Sequence, residues 1–116
     1  MDISEGLRNE MWRKILPVAK KHIEKVFVVS LTPVLEDRFP AKGWFDRDLY
    51  HLNSDIEDYN LFLKNLCEEF NIPFIDVATA MLEHNLEELL FDSSHPNEKG
   101  HQVIAAEILR QTKNLL

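Results

Sequence analysis

Two short apolar runs, separated and flanked by helical patterns, constrain this chain more than any other feature. Val26-Phe27-Val28-Val29-Ser30-Leu31 is rich in β-branched and aromatic residues without polar alternation, as expected for a strand covered on both faces. Pro73-Phe74-Ile75-Asp76 reads as a second buried strand. Ahead of the first run, Leu7, Met11, Trp12, Ile15, Val18 and Ala19 recur at three- and four-residue steps, predicting one apolar helix face over about residues 7 to 23, with Pro17 placed to bend or shorten it. A second helix is predicted from Ser54, which forms a Ser-x-x-Glu capping box with Glu57. The stripe Ile56, Leu63, Cys67, Phe70 continues it, and Asn71 ends it. Residues 77 to 90 read as short helical or irregular structure with their charges in water. Glu98 to Lys113 closes the chain as an amphipathic helix carrying Val103, Ile104, Ile108 and Leu109.

The order helix, strand, helix, strand, helix, without repeats or a linker, predicts an α/β layered plan with parallel strands joined by helical crossovers. Its 116 residues suffice for a single domain with one modest core. Two strands alone leave two unpaired edges, however, and a buried parallel sheet needs more strands to satisfy its backbone. The expectation is a partial sheet completed by other segments or another chain.

Charge narrows the partners. A formal net charge of −7 repels phosphate backbones, so nucleic acid is not expected. The basic group Lys20-Lys21-His22 with Lys25 reads as a solvated helix end favoured by the helix dipole. No apolar run is long enough for a membrane span, and the acidic start Met1-Asp2-Ile3-Ser4-Glu5 is unlike a signal peptide, so a cytoplasmic location is expected. The single cysteine, Cys67, excludes an internal disulfide and sits at a core position of its helix. The five histidines, at 22, 51, 84, 95 and 101, follow no metal-ligand spacing; neither metal nor cofactor is expected, and His101 belongs on the outer face of the last helix.

The segment that carries chemistry is Asp92-Ser93-Ser94-His95-Pro96-Asn97-Glu98-Lys99-Gly100. It sets a carboxylate three residues before a histidine at the entrance to the last helix. A carboxylate accepting from imidazole Nδ1-H leaves Nε2 able to take a proton from a nucleophile. Pro96 restricts the backbone of His95, Asn97 can cap the following amides, and Gly100 removes a side chain where the helix can pass close to neighbouring backbone. An isolated Asp-x-x-His is often no more than surface polarity beside a capped helix; the complete Asp-x-x-His-Pro-Asn-x-x-Gly string is more specific.

That string resembles the last sequence block of SGNH, or GDSL-type, hydrolases. The resemblance implies that Asp92 and His95 are the catalytic aspartate and histidine of a serine ester hydrolase. Val26 to Pro33 is similar to the fourth strand of that family and its exit, and Asn60 to Asp76 to the following helix and fifth strand. The implied fold is a partial, flavodoxin-like three-layer α/β/α domain over residues 1–116, with two parallel strands and about three main helices, corresponding to the C-terminal half of the family domain. The implied substrate is a small ester or acetylated molecule. The Gly-Asp-Ser block that bears the nucleophile and the glycine and asparagine blocks that complete the oxyanion hole are absent from this sequence, which starts about where the third block ends.

The serines at 4, 30, 54, 93 and 94 are better read as strand, cap or turn residues than as nucleophiles. The isolated chain is therefore expected to be inactive. Ligands of open α/β sheets sit beyond the carboxyl ends of the strands, so the loop over residues 32 to 52, with Trp44 and Phe45, is expected either to wall the pocket or simply to anchor itself. The alternative function is a non-catalytic interaction module, a degenerate or truncated hydrolase half that forms a homodimer or larger oligomer through its open sheet edge.

Overall fold

The computed structural model describes residues 3–38, 41–42, 48–49 and 52–115. Trp44 and Phe45 lie outside the described residues. Helix α1 (Ile3–His22) runs without interruption through Pro17, and Lys20, Lys21 and His22 occupy its last turn. Strand β1 (Val28–Val29) follows, then a 3-10 turn (Glu36–Arg38) and a small antiparallel pair, β2 (Ala41–Lys42) with β3 (Asp48–Leu49). Next come α2 (Asn53–Glu69), β4 (Phe74–Ile75), the short helices α3 (Ala78–Leu82) and α4 (Leu86–Leu89), and α5 (Glu98–Thr112).

β1 and β4 pair in parallel, Val28 beside Phe74 and Val29 beside Ile75, as the helical crossover between them requires. The main core joins Leu16 of α1, Val28 of β1, Ile72, and Leu63, Leu66 and Cys67 of α2. Cys67 is completely buried, and that burial pushes its thiol above the ordinary value, so it behaves as a small hydrophobe. A second cluster gathers Met81, Leu89 and Leu90 under Val103 and Ile104 of α5. His101 faces water, as does Leu109, which the sequence pattern placed on the inner stripe.

Three further expectations change. β1 is covered on one face only: Val28 is buried, whereas Val29 is 39% exposed. The ladder is two residues long, and among the described strands only β4 pairs with β1. On α1, Trp12 and Leu16 turn inward, while Leu7, Met11, Ile15 and Val18, grouped with Trp12 on one predicted face, remain exposed. The third change concerns Ser54, which is not the cap: α2 starts one residue earlier, its N-cap Leu52 makes no side-chain bond, and the first helical amide, that of Asn53, donates to the Glu36 carboxylate at 2.6 Å.

Asn53 takes the first helical position instead, because its amide is committed elsewhere. Its Oδ1 accepts from the Val34 amide and its Nδ2 donates to the Val34 carbonyl, both at 2.9 Å. Two turns on, Asn60 clasps Leu31 in the same way, at 2.7 and 3.2 Å. These two carboxamides stand in for a strand along the exit of β1, satisfying backbone groups that the short sheet does not reach.

At its other end α2 stops in a Schellman turn. The Ile72 amide donates to the Cys67 carbonyl at 2.8 Å and the Asn71 amide to that of Glu68 at 3.2 Å. Asn71 provides the left-handed step, at φ 55°. Alanine there carries the Cβ penalty that glycine escapes. Asn71→Ala is thus expected to lower stability by about 1 kcal/mol in urea unfolding and Asn71→Gly to be neutral or stabilising; equal midpoints for the two variants would refute this account of the helix end.

Candidate functional site

α4, the loop after it and the first turn of α5 form a single hydrogen-bonded unit around Asn97. The Asn97 amide donates to the Leu89 carbonyl at 2.9 Å and its Nδ2 to the Glu88 carbonyl at 2.9 Å. Its Oδ1 accepts from the Gly100 amide at 2.9 Å, capping α5. One asparagine thus joins the end of one helix to the start of the next. The fit depends on Gly100, where a Cβ would lie 2.2 Å from the Leu89 carbonyl oxygen.

The loop between these helices folds back on itself. Leu90 and Pro96 form an antiparallel bridge, and the Phe91 amide donates to the His95 carbonyl at 2.7 Å. The Leu35 amide donates to the Ser93 carbonyl at 2.9 Å, tying the loop to the segment beyond β1. Within the turn, Asp92 Oδ1 accepts from the amides of Ser94 at 2.9 Å and His95 at 2.8 Å. Asp92 therefore builds the turn that presents the histidine.

The same carboxylate meets the ring. His95 Nδ1 lies 2.9 Å from Oδ2 and 3.0 Å from Oδ1. Asp92 is held below the usual carboxylate range by the Ser94 amide first and the His95 amide next, against a smaller desolvation cost, with the His95 ring adding to the effect. An ionised carboxylate only accepts hydrogen bonds, so Nδ1 carries the proton and donates it. Nε2 then keeps its lone pair, and an imidazole in this tautomer can take a proton from a hydroxyl.

The pair is open to solvent, the His95 side chain being 76% exposed and that of Asp92 45%. Four hollows lined by described residues contain neither side chain. No described serine hydroxyl is recorded against Nε2. Ser94 Oγ approaches Nδ1, at 3.4 Å, on the side that Asp92 occupies. Ser30 is buried, and its hydroxyl accepts from the amides of Val77 at 3.0 Å and Ala78 at 3.3 Å. In the sequence Leu90-Phe91 immediately precedes the Asp92 to Gly100 string as an apolar lead-in. In the turn Phe91 stands opposite His95 and is 79% exposed.

These features find their counterpart in a known family. Residues 5–103 match the model of the GDSL-like Lipase/Acylhydrolase family, to which the chain belongs. A search of curated proteins finds no match. Among solved structures, the chain is similar to a catalytic mutant of Axe2, an acetylxylan esterase from Geobacillus stearothermophilus, with 20% identity and a TM-score of 0.67, over 89% of this chain and 44% of that one. It is also similar to the esterase domain of the ORF1 protein of the zebrafish ZfL2-1 retrotransposon, with 19% identity and a TM-score of 0.64, over 98% of this chain and 61% of that one. The likeness is one of fold, and the chain spans roughly half the length of the structures it matches. The fold is thus a partial SGNH-type α/β fold with two parallel strands, three long helices and two short ones.

Two outcomes follow from the turn. Gly100→Ala forces the Leu89 carbonyl aside and with it the bond from Asn97. Despite the better helix propensity of alanine, a loss of about 2 kcal/mol or more is expected in denaturant unfolding; unchanged stability would mean that α5 docks less closely. The second outcome concerns pH. The folded pKa of Asp92 lies below the unfolded value of about 3.9, so its contribution is complete above that value and disappears as pH falls through the folded pKa. Carboxyl NMR should give a midpoint below about 3.9, followed by the amide shifts of Ser94 and His95. A midpoint at or above the ordinary value would contradict the two amide bonds.

Proposed function

We propose that this chain is the part of a GDSL-type serine ester hydrolase that supplies the aspartate and histidine of the catalytic triad. His95 is the general base and Asp92 holds its ring. The observation that carries the reading is the 2.9 Å contact between Asp92 Oδ2 and His95 Nδ1, which leaves Nε2 available in a solvent-facing turn. Supporting it, solved structures of the Geobacillus esterase described as catalytic mutants replace a serine, an aspartate and a histidine of that enzyme, the last two three positions apart, as Asp92 and His95 are here.

The chemistry is that of acyl transfer through serine. Nε2 takes the proton as the hydroxyl oxygen attacks the ester carbonyl, then returns it to the departing alcohol; water repeats the two steps and releases the acid. The serine and the oxyanion donors come from the complementary part of the domain. The substrate class is an ester or acetyl group. Membrane insertion has no support in the described helices, none of which is long and apolar enough to cross a bilayer.

In a domain joined to its serine-bearing part, p-nitrophenyl acetate hydrolysis should fall by about 10³-fold or more in kcat for His95→Ala, and by about 10²- to 10⁴-fold for Asp92→Asn with KM little changed. The isolated chain should show no saturable hydrolysis, since the missing groups supply most of the transition-state stabilisation. Saturable activity of the isolated chain that His95→Ala abolishes would reveal a nucleophile among the serines set aside above. The second reading, an interaction module without catalysis, is favoured by the open edge of β1; an assembled but inactive domain would transfer the conclusion to it.

A further inference from the structure

The side chains of Asp92 and His95 both face solvent, so their own burial does not hold the turn in place. Ser93, between them, is buried. Among the described residues, one hydrogen bond leaves this turn for a part of the chain outside α4 and α5: the Leu35 amide donates to the Ser93 carbonyl at 2.9 Å. Leu35 also packs its side chain against the Met81, Leu89 and Leu90 cluster, from which the turn departs. The orientation of the turn relative to the sheet is thus tied to the strap that follows β1.

That strap is fixed from α2. The Leu35 N–H and the Val34 carbonyl belong to one planar peptide unit, and in a trans unit the two groups point in opposite directions. The carbonyl accepts from Asn53 Nδ2 at 2.9 Å while the amide donates to Ser93. One rigid plate therefore bridges Asn53 and the Asp92–His95 turn, and rotating it about the chain breaks a bond at both ends. Asn53 Oδ1 accepts from the Val34 amide, also at 2.9 Å, which fixes the preceding peptide unit. The Asn53 backbone amide donates to the Glu36 carboxylate at 2.6 Å, so residues 34 to 36 and the first residue of α2 hold each other. Hydrogen bonds linked in such a chain polarise and strengthen one another.

We propose that Asn53 is a positioning residue for His95, acting through the Val34–Leu35 peptide and Ser93 to hold the turn in which Asp92 meets the imidazole. The inference rests on the proposed function for its effect on hydrolysis, and on the hydrogen bonds alone for its effect on the ring. Asn60 supplies the contrast. Its carboxamide clasps the amide and carbonyl of Leu31 as Asn53 clasps those of Val34, but no bond among the described residues carries that clasp on to the turn. The two asparagines satisfy the same kind of backbone groups, and only Asn53 is linked to Ser93.

The first measurement is nitrogen NMR of the histidine rings in the 116-residue chain, at a pH where His95 is neutral. Which ring nitrogen carries the proton is set by the hydrogen bonds around the ring. The unsubstituted chain should hold it on Nδ1, against Asp92. Asn53→Ala should lower the Nδ1-protonated fraction by about half or more and shift the amides of Ser93, Ser94 and His95. Asn60→Ala should lower the urea midpoint comparably and leave the ring and those amides unchanged. Should Asn53→Ala fail to fold by circular dichroism, Asn53→Asp carries the same prediction, because it keeps the acceptor for the Val34 amide and sets an oxygen in place of the donor against the Val34 carbonyl. In the domain joined to its serine-bearing part, Asn53→Ala should reduce kcat for p-nitrophenyl acetate about tenfold or more with KM changed less than about twofold, while Asn60→Ala leaves kcat within about twofold. A ring protonated on Nε2 in the unsubstituted chain, a ring unaltered by the Asn53 substitutions, or one altered equally by Asn60→Ala would each overturn the inference. A ring that depends on Asn53 in a joined domain that hydrolyses no ester would uphold the positioning role and overturn the catalytic reading instead.

Discussion

Everything around the candidate site is referred to the contact between Gly100 and the Leu89 carbonyl. A helix can begin that close to another chain segment only where it lacks a side chain, and a Cβ at 2.2 Å from the oxygen excludes any other residue without movement of the backbone. Asn97 uses the same proximity, spending its amide and both side-chain functions on α4 and α5. With both helices pinned, the residues between them are forced into a tight reversal. Asp92 then does two jobs with one carboxylate, closing the turn through two amides and holding the imidazole through Nδ1.

Local pre-organisation explains how the Asp–His geometry persists although both side chains face solvent. An exposed ion pair contributes little to stability by itself. Here the pair stays together because the backbone bonds of Ser94, His95 and Asn97 leave the ring few alternatives. Aim, rather than energy, is what the turn provides. The open side of Nε2 leaves room for a hydroxyl from elsewhere, in keeping with a family domain of which this chain represents roughly half a solved relative's length.

The two-stranded parallel sheet is stabilised by helix packing and by asparagine side chains rather than by its own ladder. Leu63, Leu66 and Cys67 of α2 cover the buried face of β1, while Asn53 and Asn60 satisfy the backbone beyond its last paired residue. Val29 and Leu31, on and after β1, and Leu7, Met11, Ile15 and Val18 on α1 keep their apolar side chains exposed.

Local patterns in the sequence determined the order of the three long helices and the two parallel strands, the Asn71 helix end, the Asn97 cap and the Asp92–His95 pair, but not the 3-10 turn or the β2–β3 pair inside the segment read as a loop. Each arises from residues close in the chain or from a periodicity that one segment carries by itself. Tertiary structure alone decided which apolar residues are core: Leu7 and Met11 have the same pattern as Trp12, yet only Trp12 finds a neighbour, because burial depends on what lies opposite. It likewise moved the start of α2 from Ser54 to Asn53, whose amide is recruited by Val34 nineteen residues away. The exposure of Phe91 was decided the same way, by a hairpin register that no local pattern encodes.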